Sequence, residues 1–274
     1  MSNAPNAEYT IKSDASAIMP EALKFVENYT GLTSDEAVRH VVQVRDRAWD
    51  IEPYPCLGRF RFLTPGIDDG SPRYMQVIER IKQGQKLLDM GMCFGQDIRK
   101  LVLDGAPSEN LYGSDLRADY IELGYTLFKD KDTIKSTFFA ADIFDPSSPY
   151  TTIDGKIDIV YTGSFFHLFT WDNQIKVAKR IVQVLRPQKG SMVLGRQSGS
   201  LIAGESTRRG GTQQVYRHDS TSFARMWKQV GDETGTEWEV QSELGDLDCL
   251  HQAPQNASEA KSARLRLRFV VVRK

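Results

Sequence analysis

From Lys86 onward the chain alternates short apolar runs with amphipathic stretches, and this alternation constrains the fold more than any other feature. The runs Lys86–Met90, Asn110–Ser114, Ser136–Ala140, Ile157–Thr162 and Ser191–Arg196 are bounded by Gly, Pro or Asp and read as buried strands. Helical segments lie between them, near Asp97–Leu103, Ala118–Phe128 and Asn173–Leu185. Strands separated by helices predict a parallel sheet with helices on both faces and a ligand at the carboxyl ends of the strands. A helix near Ser222–Val230 follows, then strands Trp238–Leu244 and Leu265–Val272. In the last strand Leu265, Leu267, Phe269 and Val271 alternate with Arg264, Arg266 and Arg268, giving one dry and one wet face. That pattern suits a closing antiparallel hairpin, with polar Gln252–Ser262 as its loop. The expected architecture is a seven-stranded, mostly parallel α/β sheet.

Residues 1–85 have a different character and read as a helical extension ahead of a core spanning 86–274. Thr33 and Glu36 fit a capping box, in which each side chain satisfies an exposed backbone donor of the other. Ala37, Val38, Val41, Val42, Ala48 and Trp49 then recur at helical spacing until Pro53 and Pro55 end the helix. Tyr54–Phe62 is expected as an aromatic loop, and a second helix over Pro72–Lys82.

Composition excludes several classes of function. Lys and Arg number 35 against 36 Asp and Glu, a net charge of −1, so the clustered cations needed for a nucleic-acid backbone are missing. Three cysteines, odd in number and far apart, argue against a disulfide framework or a zinc site and suit a reducing cytoplasm. The longest apolar stretch, Ile157 to Trp171, is broken by Asp158 and His167 and falls short of the roughly 20 residues that span a bilayer.

The chemistry is concentrated at the strand ends. Leu87-Leu88-Asp89-Met90-Gly91-Met92-Cys93-Phe94-Gly95 is a strand entering a glycine-bearing turn before a helix, where backbone can approach a polar ligand. Its G-x-x-x-G spacing differs from the G-x-G-x-x-G of dinucleotide sites, and Asp89 suits a cationic ligand better than a phosphate. Asp115, ending the second strand, can accept hydrogen bonds from both hydroxyls of a ribose or can cap the helix that follows. Asp142, after the third strand, can accept from an exocyclic amine with Ile143 and Phe144 flanking a purine, or can simply close a turn.

Asp89-x-Gly91-x-x-x-Gly95, Asp115 and Asp142-Ile143 resemble the cofactor motifs of class I methyltransferases, which use S-adenosyl-L-methionine on a Rossmann-like fold. The resemblance implies that Gly91 and Gly95 line the methionine portion, Asp115 and Leu116 the ribose, and Asp142 and Ile143 the adenine. Longer runs, Val44-Arg45-Asp46-Arg47-Ala48-Trp49, Pro53 to Leu63, Cys93-Phe94-Gly95-Gln96-Asp97 and Asp104 to Asp115, are similar to fungal methyltransferases of meroterpenoid gene clusters. That likeness implies methyl esterification of a farnesylated dimethylorsellinic-acid-type intermediate, and a homodimer.

Acceptor-side candidates follow from their positions. His167, in the segment after the fourth strand, can orient the acceptor oxygen or act as a base. Arg196 and Gln197 end the fifth strand, where Arg196 can hold a carboxylate bidentately or join a surface ion pair. Tyr54, Phe60, Phe62, Phe165, Phe166 and Trp171 are candidates to wall an isoprenoid channel. His218 and His251 are further pocket candidates on loops, and His40 reads as structural. Phenol methylation with His167 as base, and a non-catalytic scaffold of the same fold, stay open beside carboxyl methylation.

Overall fold

The computed structural model describes residues 11–207, 212–246 and 265–274; His251 and the loop expected over Gln252–Ser262 lie outside them. The N-terminal helices are α1 (Pro20–Thr30), α2 (Ser34–Ile51), α3 (Pro55–Gly58) and α4 (Pro72–Lys82). Next come β1 (Leu87–Met90), α5 (Gln96–Leu103), β2 (Leu111–Asp115), α6 (Ala118–Phe128), β3 (Thr137–Ala140), β4 (Ile159–Gly163) and α7 (Trp171–Val184). The chain closes with β5 (Met192–Gly199), β6 (Gly204–Thr207), β7 (Gln214–Arg217), α8 (Ser220–Thr234), β8 (Trp238–Asp246) and β9 (Leu265–Arg273).

Seven strands form one sheet in the order β3-β2-β1-β4-β5-β9-β8. Pairs β2–β3, β1–β4 and β4–β5 are parallel, whereas β5–β9 and β8–β9 are antiparallel. The strand order reverses between β1 and β4, the kind of switch point where open α/β sheets bind ligands. Expected and observed elements agree closely, with three differences. Pro55, pre-set for a first helical turn, converts part of the expected Tyr54–Phe62 loop into α3, and a 3₁₀ turn follows at Arg61–Leu63. Strand β3 is not buried as expected, because it lies at the sheet edge and its end residues face solvent. The β6–β7 hairpin, a separate two-stranded sheet, had no alternating apolar pattern to announce it.

By contacts, described residues 11–84 and 92–140 form one compact unit, and 85–91, 141–207, 212–246 and 265–274 a second. In the first unit α1, α2, α3 and the turn after it share a core with Phe94 and α6. The capping box forms as expected, with Thr33 N–H donating to Glu36 Oε2 at 2.9 Å. Ala37, Val41, Val44 and Ala48 then turn one apolar stripe of α2 inward. Phe62 meets Phe94 edge-on with centroids 4.9 Å apart, and Phe94 meets Tyr120 at 5.5 Å. Arg99 is fully buried and forks onto Asp130 through two 2.9 Å bonds, while the Tyr29 hydroxyl donates to the same carboxylate at 2.9 Å. His40 is structural: Nε2 lies 3.1 Å from the carbonyls of Thr126 and Leu127 near the end of α6.

The second unit packs Phe166, Phe223 and Phe269 together, with Phe223 and Phe269 centroids 4.5 Å apart. Beside them His218 is completely buried. Gln174 Nε2 donates to the carbonyls of Phe169 and Tyr216, which orients its Oε1 towards His218 Nε2 at 3.0 Å. An amide oxygen only accepts, so Nε2 carries the proton and Nδ1 accepts from the Ser222 hydroxyl at 2.9 Å. His218 is thus a structural residue, not part of a loop lining a pocket.

Candidate active site

The first unit carries the turn that follows β1. Met92 N–H donates to Ser114 O at 3.0 Å, and Cys93 N–H donates to Asp115 Oδ2 at 2.9 Å. Cys93 has a left-handed φ of 55°, the conformation for which a glycine is usual in such loops. Asp115 Oδ1 accepts from Arg117 N–H at 3.0 Å. Burial raises the Asp115 carboxyl above its ordinary value, and backbone donors from Arg117, Cys93 and Leu116 oppose that shift. A carboxylate offers about four acceptor sites, so this one retains capacity for a hydroxyl donor beyond its turn contacts. Next to it the Leu116 side chain is 66% exposed, an apolar surface suited to a flat ring. The neighbouring Cys56 thiol and then burial push the Cys93 thiol well up. Gly95 caps α5 with φ 70°, and its missing side chain leaves room for the Arg99 guanidinium.

The second unit carries β1 itself and the segments after β3 and β4. Asp89 is buried in β1. Gly91 follows with φ 78°, and a Cβ there would sit 2.5 Å from Cδ2 of Phe165, so only glycine lets that ring approach the turn. Phe165 meets Phe169 at 5.2 Å and Phe169 meets Phe144 at 5.3 Å, both edge-to-face. Phe144 is 40% exposed, and the other two rings are half-buried. The three make an aromatic wall. Asp142 is exposed and accepts from Phe144 N–H at 2.9 Å, closing the turn, while Ile143 is buried. His167 is half-buried in the 3₁₀ turn Phe166–Leu168. That turn is tied to β7 by Tyr216 N–H donating to Phe169 O at 2.8 Å, and the His218–Gln174 pair holds the same carbonyl.

The other expected site residues are placed as follows. Phe60 and Phe62 belong to the first unit's core, where Phe60 also lies under the Arg45 guanidinium at 4.4 Å. Their aromatic character reflects packing, and the same holds for Phe166 in the second unit. Tyr54 is half-buried against the first core. Trp171 packs on Tyr216 at 5.0 Å under Arg225. Arg196 is half-buried on β5, and Gln197 is 2% exposed, with neither amide atom hydrogen-bonded among the described residues. Phe169 and Phe144 complete the wall; no local pattern distinguishes Phe169, two residues past His167, from a core phenylalanine.

Comparisons with known proteins identify the family. Residues 9–63 match the meroterpenoid methyltransferase N-terminal domain family, and residues 87–188 a methyltransferase domain family. The chain is 43% identical over 239 residues to the O-methyltransferase phiE of Fungal sp. (strain ATCC 74256), covering 86% of this chain and 79% of that protein. It is 40% identical over 221 residues to the asnovolin E/chermesin D methyltransferase nvfJ of Aspergillus novofumigatus (strain IBT 16806), covering 80% and 79% respectively. In fold it resembles the Burkholderia thailandensis 1,6-didemethyltoxoflavin-N1-methyltransferase, solved with S-adenosylhomocysteine, at a TM-score of 0.51 and 13% identity over 86% of this chain and 89% of that one. A Haemonchus contortus phosphoethanolamine N-methyltransferase, also with S-adenosylhomocysteine, superposes at 0.52 and 17% identity over 84% and 60%. The chain therefore belongs to the S-adenosyl-L-methionine-dependent O-methyltransferases of fungal biosynthetic clusters that carry the meroterpenoid methyltransferase N-terminal domain.

Proposed function

We propose that the protein methylates a carboxyl group of a prenylated polyketide acid, of the farnesylated dimethylorsellinic-acid type, to give its methyl ester. The observation that carries this reading is the identity to meroterpenoid methyltransferases such as nvfJ across both the N-terminal domain and the core. The cofactor supplies a methyl group activated on a sulfonium. In this reading Asp115 accepts from the ribose and Leu116 lies against its rim. Asp142 and Ile143 flank the adenine, while Asp89, Gly91 and Gly95 form the methionine-side turn.

The chain's own task is then alignment and exclusion of water, because methyl transfer is an in-line displacement. A carboxylic acid with a pKa near 4 is already the nucleophile at neutral pH, whereas a phenol near 10 needs a base. The aromatic wall of Phe144, Phe165 and Phe169 supports an apolar acceptor, and His167 supports orientation of its oxygen. Residues 1–85 then act as the substrate-covering and dimer-forming region, and residues 86–274 as the methyl-transfer core. The family likeness also supports a cytoplasmic homodimer, which sedimentation at micromolar concentration and cell fractionation test. No helix among the described residues is long and apolar enough to cross a membrane.

Incubation with methyl-labelled cofactor and a farnesylated aromatic acid, followed by mass spectrometric location of the label, tests the reaction. Label on the carboxyl group, a rate flat above about pH 6 and retained turnover in His167→Ala are the expected results. Label on a ring hydroxyl with a rate climbing towards pH 9 would refute the ester reading in favour of phenol methylation. Bound cofactor with no transfer to any such acid would point to the scaffold.

A further inference from the structure

We propose that Arg196 and Arg268 form a two-arginine clamp for the carboxylate of the acceptor, a step that rests on the carboxyl-methylation reading and names the side chains that select an ionised acid. The two residues are direct cross-strand partners on β5 and β9. Side chains so placed have Cβ atoms about 5 Å apart, and like charges directly opposite are destabilising. A carboxylate would relieve such a pair, and other arginines of this chain have one: Arg99 is paired with Asp130, Arg186 with Asp158 and Arg180 with Asp154. Arg196 and Arg268 make no ion pair among the described residues. Both are half-buried, so water relieves their repulsion only in part.

The surroundings leave room for an anion. Beside Arg196 on β4 stands Gly163, which contributes no side chain. The Arg268 guanidinium reaches over β8, its Nη1 lying 3.6 Å from where a Cβ of Gly245 would be, another position without a side chain. Glu243 is opposite Arg268 on β8, but it is exposed at the sheet edge and makes no ion pair with Arg268 among the described residues. The surface ion pair open to Arg196 from its sequence position does not form among the described residues.

Position connects the pair to the chemistry. Arg196 O accepts the Ser164 N–H at 2.7 Å, where β4 ends and the segment bearing Phe165 and His167 begins. Arg196 therefore stands level with the carboxyl end of β4 and midway along β5, in the same unit as the aromatic wall. Guanidinium forks match the two oxygens of a carboxylate, and a pair of them rejects a neutral isostere more strongly than it rejects a different hydrocarbon.

The test uses the full chain with S-adenosylhomocysteine and two probes, a farnesylated dihydroxybenzoic acid and its primary amide, by calorimetry. The wild type is expected to bind the acid at least about tenfold more tightly than the amide. Arg196→Gln and Arg268→Gln should each collapse that gap, and Arg268→Lys, which keeps the charge but loses the fork, should narrow it only in part, with melting curves and circular dichroism confirming the fold. An undiminished gap in both glutamine variants overturns the clamp, as does absence of a gap in the wild type. Should the variants instead lose affinity for S-adenosylhomocysteine alone, the carboxylate held is the cofactor's, and the acceptor assignment fails. Ester formation with an undiminished gap sinks the clamp and leaves the ester reading standing; a collapsed gap with label on a ring hydroxyl does the reverse.

Discussion

Acidification from pH 7.5 to pH 5 is expected to remove about 2 kcal/mol of stability through His218 alone. Burial lowers this imidazole to about 3 from its ordinary 6.5. The folded ring stays neutral down to that range, while in the unfolded chain it takes up a proton as the pH passes 6.5. A folded value below the unfolded one means stability that is fully present above pH 6.5 and is lost as the pH falls towards 3. One and a half pH units at about 1.36 kcal/mol each give roughly 2 kcal/mol by pH 5, and the full interval to pH 3 gives about 5 kcal/mol. The geometry explains the reluctance to charge: Gln174 Oε1 accepts from Nε2–H and the Ser222 hydroxyl already donates to Nδ1, so a proton added at Nδ1 has no acceptor without rearrangement. Urea unfolding at pH 7.5 and 5.0, followed through buried Trp227 in the same unit, compares the wild type with His218→Gln. The variant starts less stable, but its loss on acidification should be about 2 kcal/mol smaller, since every other titrating group is common to both. A difference under about 0.5 kcal/mol would show that the ring is charged or solvated in the fold and would refute the network as drawn. Because Gln174 also holds the Phe169 carbonyl, the variant should show a raised KM for the acceptor with cofactor affinity preserved.

Asp115→Ala is expected to abolish cofactor binding by calorimetry, because it removes both the proposed ribose acceptor and the partner of Cys93 N–H; undiminished affinity would contradict the site. Gly91→Ala places a methyl 2.5 Å from Phe165 at a left-handed φ, so thermal melting should report a loss of about 1–3 kcal/mol together with slower methyl transfer. Arg99→Met leaves the Asp130 carboxylate buried without its guanidinium and should cost about 3–5 kcal/mol in urea unfolding; a loss below about 1 kcal/mol would mean that water or Tyr29 compensates.

Signals that act over a few residues were legible in the chain. The Thr33–Glu36 capping box, the α4 helix behind Pro72 and the α6 helix were placed within their observed bounds because caps, prolines and periodicity operate locally. Asp89, Gly91 and Asp115 could likewise be set at strand ends, since a strand running into a glycine or an aspartate is a contiguous pattern. What the chain hid depends on register and packing between distant segments. Phe62, Phe165 and Phe166 are chemically alike, yet Phe62 and Phe166 fill cores while Phe165 leans over Gly91, and only the neighbours decide which. The β6–β7 strands are four residues each and largely polar, so no period marked them.

Arg268 shows the same limit most sharply. Its alternation with leucines assigns it to the face of β9 opposite the buried leucines, a face that is half-buried rather than wet, and period two says only which residues share a face. The antiparallel register of β9 on β5 is what places it opposite Arg196, and a shift of one residue would have set Leu267 there instead. The buried alternates Leu265, Leu267 and Phe269 fix that register by their need to face the core, so the apolar face of β9 determines what its charged face meets. An apolar substitution at Leu267 that preserves burial should therefore leave acid-over-amide selectivity intact, whereas a charged residue there should weaken both fold and selectivity together.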